Sequence, residues 1–391
     1  MKIVFVGRVT LKTLADCGKW DRPLPEVKWG FPLGSEIVKR LVGRGHSVFV
    51  VTEHTVDAVE RFKCQTGCGG LEVRLVPSRR RSRWTFLTLF SKEVRGIRTA
   101  IKEIKPDVVF AQWTYHNAYA GLTSGHPTLV VAHDSPWRVF KMFRNLQTFI
   151  KAVYATLFVV PRIKHVTAVS PYIVREFKKF RCLKKVDIPV IPNGIEILRD
   201  ERGGMRDERG GMRDEIGGMR QDFPSPTPHP PTIVSISQAG RLKNSQALFK
   251  AWEMLKPKHY DWRLLVYGQG MPQGMVAKAE LDRVLREEVD LLVSPSLEES
   301  FGMVFVEAMR FGVPCIGGEK SGAVPWVIGD GGVVCDVTRP EKLAKCIEKV
   351  MGGAELRKRL GERGKQRVKE MFDIEKVVDL YEAELKKVAN G

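Results

Sequence analysis

Two stretches of this chain alternate short, almost wholly apolar segments with longer amphipathic ones, and that alternation restricts the fold more than any other feature. In the first stretch the apolar segments are KIVFV (2–6), SVFVV (47–51), EVRLV (72–76), DVVF (107–110), TLVVA (128–132), HVTAV (165–169) and PVI (189–191). Helical periodicity over 35–44 and near 91–104 separates them. The second stretch runs TIVSI (232–236), a helix near 244–255, RLLVY (263–267), a helix near 277–288, DLLVS (290–294), a helix from about residue 302, PCI (314–316) and C-terminal helices. Strands of this kind are buried on both faces, so the pattern predicts α/β architecture with two parallel sheets covered by helices. Two such units facing one another would form a deep cleft.

The stretches are separated by RDERGGM, RDERGGM and RDEIGGM (199–219), followed by RQDFPSPTPHPP. A heptad period suggests a coiled coil, but each repeat has Gly-Gly and a single apolar Met, so no apolar stripe forms. A tandem duplication in a disordered linker with a Pro-rich spacer is the expected state. At 391 residues, 43% of them apolar and 28% charged, the rest is ample for two cored domains.

The net charge of +19 is unevenly spread: residues 1–198 hold 33 Lys and Arg against 15 Asp and Glu, whereas residues 223–391 hold 25 against 23. Such an excess favours anionic partners, and no recognisable nucleic-acid module is present to use it. Seven scattered cysteines do not make a disulfide framework and fit a reducing, cytoplasmic setting. Cys64 and Cys68 form a lone C-x3-C without a second pair, so no metal site is expected. The N-terminal run reads as a buried strand rather than a signal peptide, and the 148–161 stretch is too short to cross a bilayer.

A dinucleotide fold would place G-x-G-x-x-G after the first strand, but GRVTLKTLADCGKW stands there. The informative segment is instead SPSLEESFGMVFVEAMRFGVP (294–314). A strand ends at Ser294, a turn carries Glu298, Glu299 and Ser300, and a helix begins near Phe301–Gly302. Main-chain N–H groups of Ser300, Phe301, Gly302, Met303 and Val304 at such a helix start suit a diphosphate. Glu299 and Glu307 lie about 12 Å apart along the axis, roughly the reach from a sugar across a diphosphate to a ribose.

The stretch ESFGMVFVEAMRFGVP (299–314) resembles the E-x7-E signature of retaining nucleotide-sugar glycosyltransferases of family 4, which have the GT-B fold. The resemblance implies two Rossmann-like domains: an acceptor-side domain over 1–190, a linker over 191–231 carrying the heptad insertion, and a nucleotide-sugar-binding domain over 232–372. The helix 373–391 would pack back on the first. It implies that Glu299 holds donor-sugar hydroxyls, that Glu307 holds the ribose, and that His133 in VVAHDSP (130–136) contacts the donor sugar. Gly34 in FPLGSEIVKRLVGRGHSVFVVT (31–52) would bring backbone close to the diphosphate, with Ser35 also readable as an N-cap. Gly268 of Gly268-Gln-Gly270 joins the donor-binding set, and VIPNGIE (190–196) matches the turn before the second domain. His116, also just past a strand, is a further candidate.

Two departures accompany these matches. The family's diphosphate clamp, an Arg and a Lys about five residues apart, corresponds to SISQAGRLKNSQ (235–246): Lys243 fits either alignment, while Arg241 or Gln238 takes the other position. Two cations there would stabilise a leaving diphosphate without a metal. About twenty residues separate Gly270 from the strand at Asp290, room for one helix, where the family usually adds another helix and strand that contact the base.

The implied activity is metal-independent, retaining transfer of a hexosyl group from a nucleoside diphosphate sugar, with no other cofactor. The acceptor would be a hydroxyl, including lipid-linked or phosphorylated ones. RRRSRWTFLTLF (79–90) and PWRVFKMFRNLQTFIK (136–151) mix cations with aromatics as an anionic membrane interface requires. The alternative is a degenerate, non-catalytic GT-B protein that binds membrane or polyanion through this basic half; an epimerase of the same fold is disfavoured.

Overall fold

The structure, a computed structural model, describes residues 1–25, 30–78, 88–197, 229–238 and 240–391. The heptad repeats and most of the 79–90 run lie outside the described residues. The chain divides into unit 1, Met1–Gly194 with Ile374–Gly391, and unit 2, Ile195–Asp373.

Thirteen strands are described, eight of them in unit 1: β1 (Lys2–Val6), β2 (Lys19–Trp20), β3 (Ser47–His54), β4 (Glu60–Gln65), β5 (Gly70–Pro77), β6 (Val108–Gln112), β7 (Thr128–Ala132) and β8 (His165–Ala168). Unit 2 holds β9 (Thr232–Ile236), β10 (Arg263–Tyr267), β11 (Leu291–Ser294), β12 (Cys315–Gly318) and β13 (Gly332–Cys335). The unit 1 sheet has the order β2-β4-β5-β3-β1-β6-β7-β8, and that of unit 2 the order β10-β9-β11-β12-β13.

β1 is central in unit 1, pairing in parallel with β3 (Lys2 opposite Ser47) and β6 (Ile3 opposite Val108). Its Ile3, Val4, Phe5 and Val6 are fully buried, as a strand covered on both faces requires. One edge departs from the expected all-parallel sheet, because β4 runs antiparallel to β5. In ERFKCQ only Phe62 and Cys64 are buried, and they alternate with exposed Arg61, Lys63 and Gln65. A half-solvated strand has no continuous apolar run, which is why the sequence pattern missed it. The 189–191 segment is not a strand; it makes a single bridge from Val190 to Ala168.

The helix expected from residue 35 begins earlier, at Pro32, where proline's fixed φ suits the first turn. Ser35 is therefore inside the helix and not its N-cap. Its Oγ accepts a hydrogen bond from Thr10 N (2.7 Å) and donates to Thr10 O (3.1 Å), tying the loop after β1 to this helix. At the other end of the chain, the Ile374–Ala389 helix buries Ile374, Val377, Val378, Tyr381, Leu385 and Val388, one continuous face at helical spacing. Tyr381 meets Phe110 of β6 at 5.1 Å, and Arg40 reaches Glu375 at 2.7 Å, so this helix completes unit 1.

Unit 2 is parallel throughout, and its core runs from Ile233, Val266, Leu291 and Ile316 of the sheet to Leu248, Leu343 and Ile347 of the covering helices. Between β10 and β11 there is one helix, Lys278–Glu287.

Candidate active site

In open α/β sheets ligands bind beyond the carboxyl ends of the strands, where the strand order reverses. In unit 2 this point lies between β9 and β11, since β10 adds on one side and β12 on the other. The loops leaving these two strands carry Arg241 and Lys243, and Glu299, respectively.

Backbone contacts fix those loops. Leu297 N donates to Leu242 O (2.8 Å), joining the two directly. Asn244, in the left-handed region at φ 52°, donates from Nδ2 to Val337 O (2.8 Å) and anchors the far end. Gly268 must be glycine: its φ is 135°, and a Cβ there would lie 1.6 Å from Ser237 O. The loops after β9 and β10 thus touch backbone to backbone, and Ser237 N donates to Tyr267 O at 2.8 Å.

This framework places Lys243 Nζ 2.5 Å from Glu299 Oε1. Both side chains are only partly covered, so the pair is open to a ligand. The chain neighbours of this pair, Arg241, Asn244 and Leu297, line a cavity of about 880 Å³ together with Phe249, Gly270 and Met271. Arg241, the provisional partner of Lys243, therefore faces this space.

The helix after Glu299 spans Met303–Met309, with Gly302 before it at φ 99°. A Cβ on Gly302 would meet Phe305 Cδ2 at 2.9 Å. Phe301 is 4% exposed and packs on Phe372 (5.6 Å) and Trp326 (6.2 Å), so its side chain belongs to the core and only its backbone can face a ligand. Ser300, Met303 and Val304 are half-buried. Glu307 is on the same helix and its Oε1 lies 3.5 Å from Lys278 Nζ. The E-x7-E pair is thus split between two cations, Lys243 for one carboxylate and Lys278 for the other.

Unit 1 carries the remaining candidates at its own reversal point, about β1. His133 follows β7; its Nε2 donates to Gln112 Oε1 (2.8 Å), and its ring packs on Phe31 (5.2 Å) and Trp113 (4.8 Å). Burial drives its pKa down to about 3, so the imidazole is neutral near pH 7. Gly34 lies in the same packing: a Cβ there would come within 2.6 Å of Phe31 Cδ1.

Around His133 lies a polar cluster that sequence reasoning largely missed. His116 Nε2 is 2.6 Å from Glu53 Oε1 and its ring stacks on Phe90 at 4.7 Å. Burial pushes Glu53 upward, but His116 first, then Arg8 and Lys151, hold it below the usual carboxylate range. Tyr115 donates to Asp134 (2.9 Å), whose pKa burial raises to about 6 against the pull of that hydrogen bond and of Lys151. The only available signal was position, each residue lying at or just past a strand's carboxyl end.

Residues 273–367 match the family described as Glycosyl transferases group 1, and residues 35–199 match Glycosyltransferase Family 4. N-acetyl-alpha-D-glucosaminyl L-malate synthase of Bacillus anthracis is 37% identical over 132 residues, 33% of this chain and 32% of that protein. The lipopolysaccharide core biosynthesis glycosyltransferase LpsE of Rhizobium meliloti is 33% identical over 169 residues, 39% of this chain and 48% of its own. The matched chain thus spans about a third to a half of these relatives. In fold, sucrose-phosphate synthase of Thermosynechococcus elongatus has a TM-score of 0.69 at 17% identity, covering 99% of this chain and 98% of its own. Anabaena HepE, solved in complex with UDP and glucose, has a TM-score of 0.63 at 16% identity, covering 99% of each chain. With a family match in each unit and the GT-B fold throughout, this chain belongs to the group 1, family 4 glycosyltransferases.

Proposed function

We propose that the protein transfers a hexosyl group, with retention, from a nucleoside diphosphate sugar to a hydroxyl acceptor, and that it does so in the cytoplasm without a metal ion. The observation that carries this reading is the Lys243–Glu299 pair at the reversal point of unit 2, beside a cavity large enough for a nucleotide sugar.

Lys243 and Arg241 take the diphosphate, and Glu299 turns from Lys243 to the sugar hydroxyls as the phosphate arrives. Glu307 holds the ribose hydroxyls, and Gly34 and Gly268 contribute main chain only, since a Cβ at either would meet the protein itself. Main chain from Ser300 to Val304 adds N–H donors. Phe249, Met271 and Leu297 offer apolar walls to a flat base, a role that the single helix between β10 and β11 leaves to this cavity.

In the reaction the bond from the anomeric carbon to the phosphate oxygen breaks, and the acceptor oxygen bonds to that carbon on the same face. The acceptor proton passes to the departing phosphate oxygen. Cations aimed at that oxygen stabilise the charge that develops there, worth about 3–4 kcal/mol each in a preorganised site. Neutral His133, its Nε2–H given to Gln112, accepts a hydrogen bond from a donor-sugar hydroxyl at Nδ1 and needs no change of charge. The acceptor is a sugar, a lipid-linked compound or a phosphorylated one. The name of the malate synthase relative, and that of a D-inositol 3-phosphate glycosyltransferase of Corynebacterium kroppenstedtii 27% identical over 161 residues, support a small anionic acceptor.

The test is release of nucleoside diphosphate from a panel of nucleotide sugars. The reading expects release that survives EDTA and falls about 100-fold or more in Glu299→Ala. A Glu299→Ala variant with wild-type turnover, or activity abolished by EDTA, contradicts it.

A further inference from the structure

The 41 residues between Asp134 and Glu176 contain seven Lys and Arg and no Asp or Glu. They open with two helices, Pro136–Phe143 and Leu146–Tyr154, that pack on each other as a hairpin. The hairpin is poorly covered for its composition. In PWRVFKMF only Pro136 is buried, and in LQTFIKAVY only Ala152 and Tyr154 are. Large apolar side chains instead face outward: Phe143 is 57% exposed, Leu146 63% and Phe149 39%, and Leu157, in the helical segment Ala155–Val159 that continues the hairpin, is 59% exposed.

This exposure is not that of a frayed end. Arg144 closes the first helix in the left-handed conformation, and Asn145 caps the second by accepting from Thr148 N at 2.9 Å. Behind the tip, Phe140 and Phe149 rings meet at 5.2 Å, and Trp137 Nε1 donates to Thr156 Oγ1 at 2.9 Å. A built turn thus holds Phe143 and Leu146 on either side of Arg144, with Lys141 exposed beside them. Arg138, by contrast, is taken by Glu176 at 3.0 Å.

We infer that this hairpin docks on an anionic lipid bilayer, with Phe143, Leu146, Phe149 and Leu157 entering the interface and Lys141 and Arg144 at the headgroups. Exposed apolar side chains flanked by Lys141 and Arg144, in a segment without Asp or Glu, complement a negatively charged surface that has an apolar layer beneath it. A soluble polyanion would match the cations but give the four apolar side chains nothing to enter. At 8 and 9 residues the helices are about 12–14 Å long, which suits lying in the interface and not crossing it. The inference goes beyond the donor site and does not depend on it.

The test is flotation of the full chain, without nucleotide, on vesicles of phosphatidylcholine alone or with about one lipid in three replaced by phosphatidylglycerol. Binding to the anionic vesicles is expected to be at least ~10-fold tighter and to weaken with salt. Phe143→Ser with Leu146→Ser should weaken it ~10-fold or more, and Lys141→Glu with Arg144→Glu by at least as much. Both double variants change exposed positions and should unfold thermally like wild type. Equal partition to the two vesicles, or wild-type binding by either variant, overturns the inference. So does binding to dextran sulfate that the Phe143→Ser, Leu146→Ser variant weakens as much as vesicle binding.

Discussion

The two units place functional groups at the same topological point by different physical means. In unit 2 the loops after β9, β10 and β11 are fixed by main-chain contacts and by glycines that no other residue can replace, and Lys243 and Glu299 follow from that backbone. In unit 1, His133, Asp134 and Glu53 are held by side chains, namely the Phe31 and Trp113 rings, Gln112, Tyr115 and His116. Backbone placement leaves the ionic groups of unit 2 partly open, whereas side-chain packing buries those of unit 1 and shifts their pKa values. A site of the first kind suits a charged ligand that replaces an ion pair. The second suits recognition of neutral hydroxyls.

The largest stability effect expected from this contrast is at Gly268. Gly268→Ala forces a Cβ onto the Ser237 carbonyl and should cost about 3 kcal/mol or more, a fall of roughly 10 °C in the unfolding temperature of unit 2. Gly34→Ala meets side chains first, Phe31 at 2.6 Å and Phe5 at 3.0 Å, with the Arg8 carbonyl farther off at 3.2 Å, and should cost about 1–2 kcal/mol. Equal losses, measured by calorimetry, would break the comparison.

Next in size is the coupling of Phe31 to His133. Phe31→Ala admits water to the imidazole, and the His133 pKa should rise by about 1–2 units from about 3, read by NMR titration. An unmoved value would show that Phe31 does not exclude water.

The smallest effect concerns Asp134, whose pKa is raised from 3.8 to about 6. A carboxyl that holds its proton more tightly when folded favours the fold below pH 3.8, and that contribution is lost as pH rises to about 6. Asp134→Asn removes the loss, so the variant should gain on wild type by about 2 kcal/mol between pH 4 and 7 and then level off. A constant difference across that range would show that the carboxyl titrates normally.

Much of this was legible in the sequence, and the exceptions share a cause. Apolar runs such as KIVFV and TLVVA located the central strands because both faces of each strand are buried. The ESFGMVFVEAMRFGVP stretch located the Met303–Met309 helix and the family. Strand β4 was hidden because its alternation is half polar, and the 189–191 run reads as a strand although it makes one bridge. Ser35 resembles an N-cap in sequence, but Pro32 starts the helix a turn earlier and turns the hydroxyl to Thr10. Glu53 and Asp134 had no motif of their own; only the strand order brings them to one place. Phe301 lies inside the motif, yet its ring packs in the core.

The proposed role of Lys243, the cation that would receive a diphosphate at unit 2, is tested directly by thermal unfolding with nucleoside diphosphates. One of UDP, GDP or ADP at saturation should raise the unfolding temperature of the wild type by several degrees, and Lys243→Ala should lose most of that rise while unfolding normally without ligand. No stabilisation of the wild type by any of them, or an equal rise in Lys243→Ala, would contradict the account.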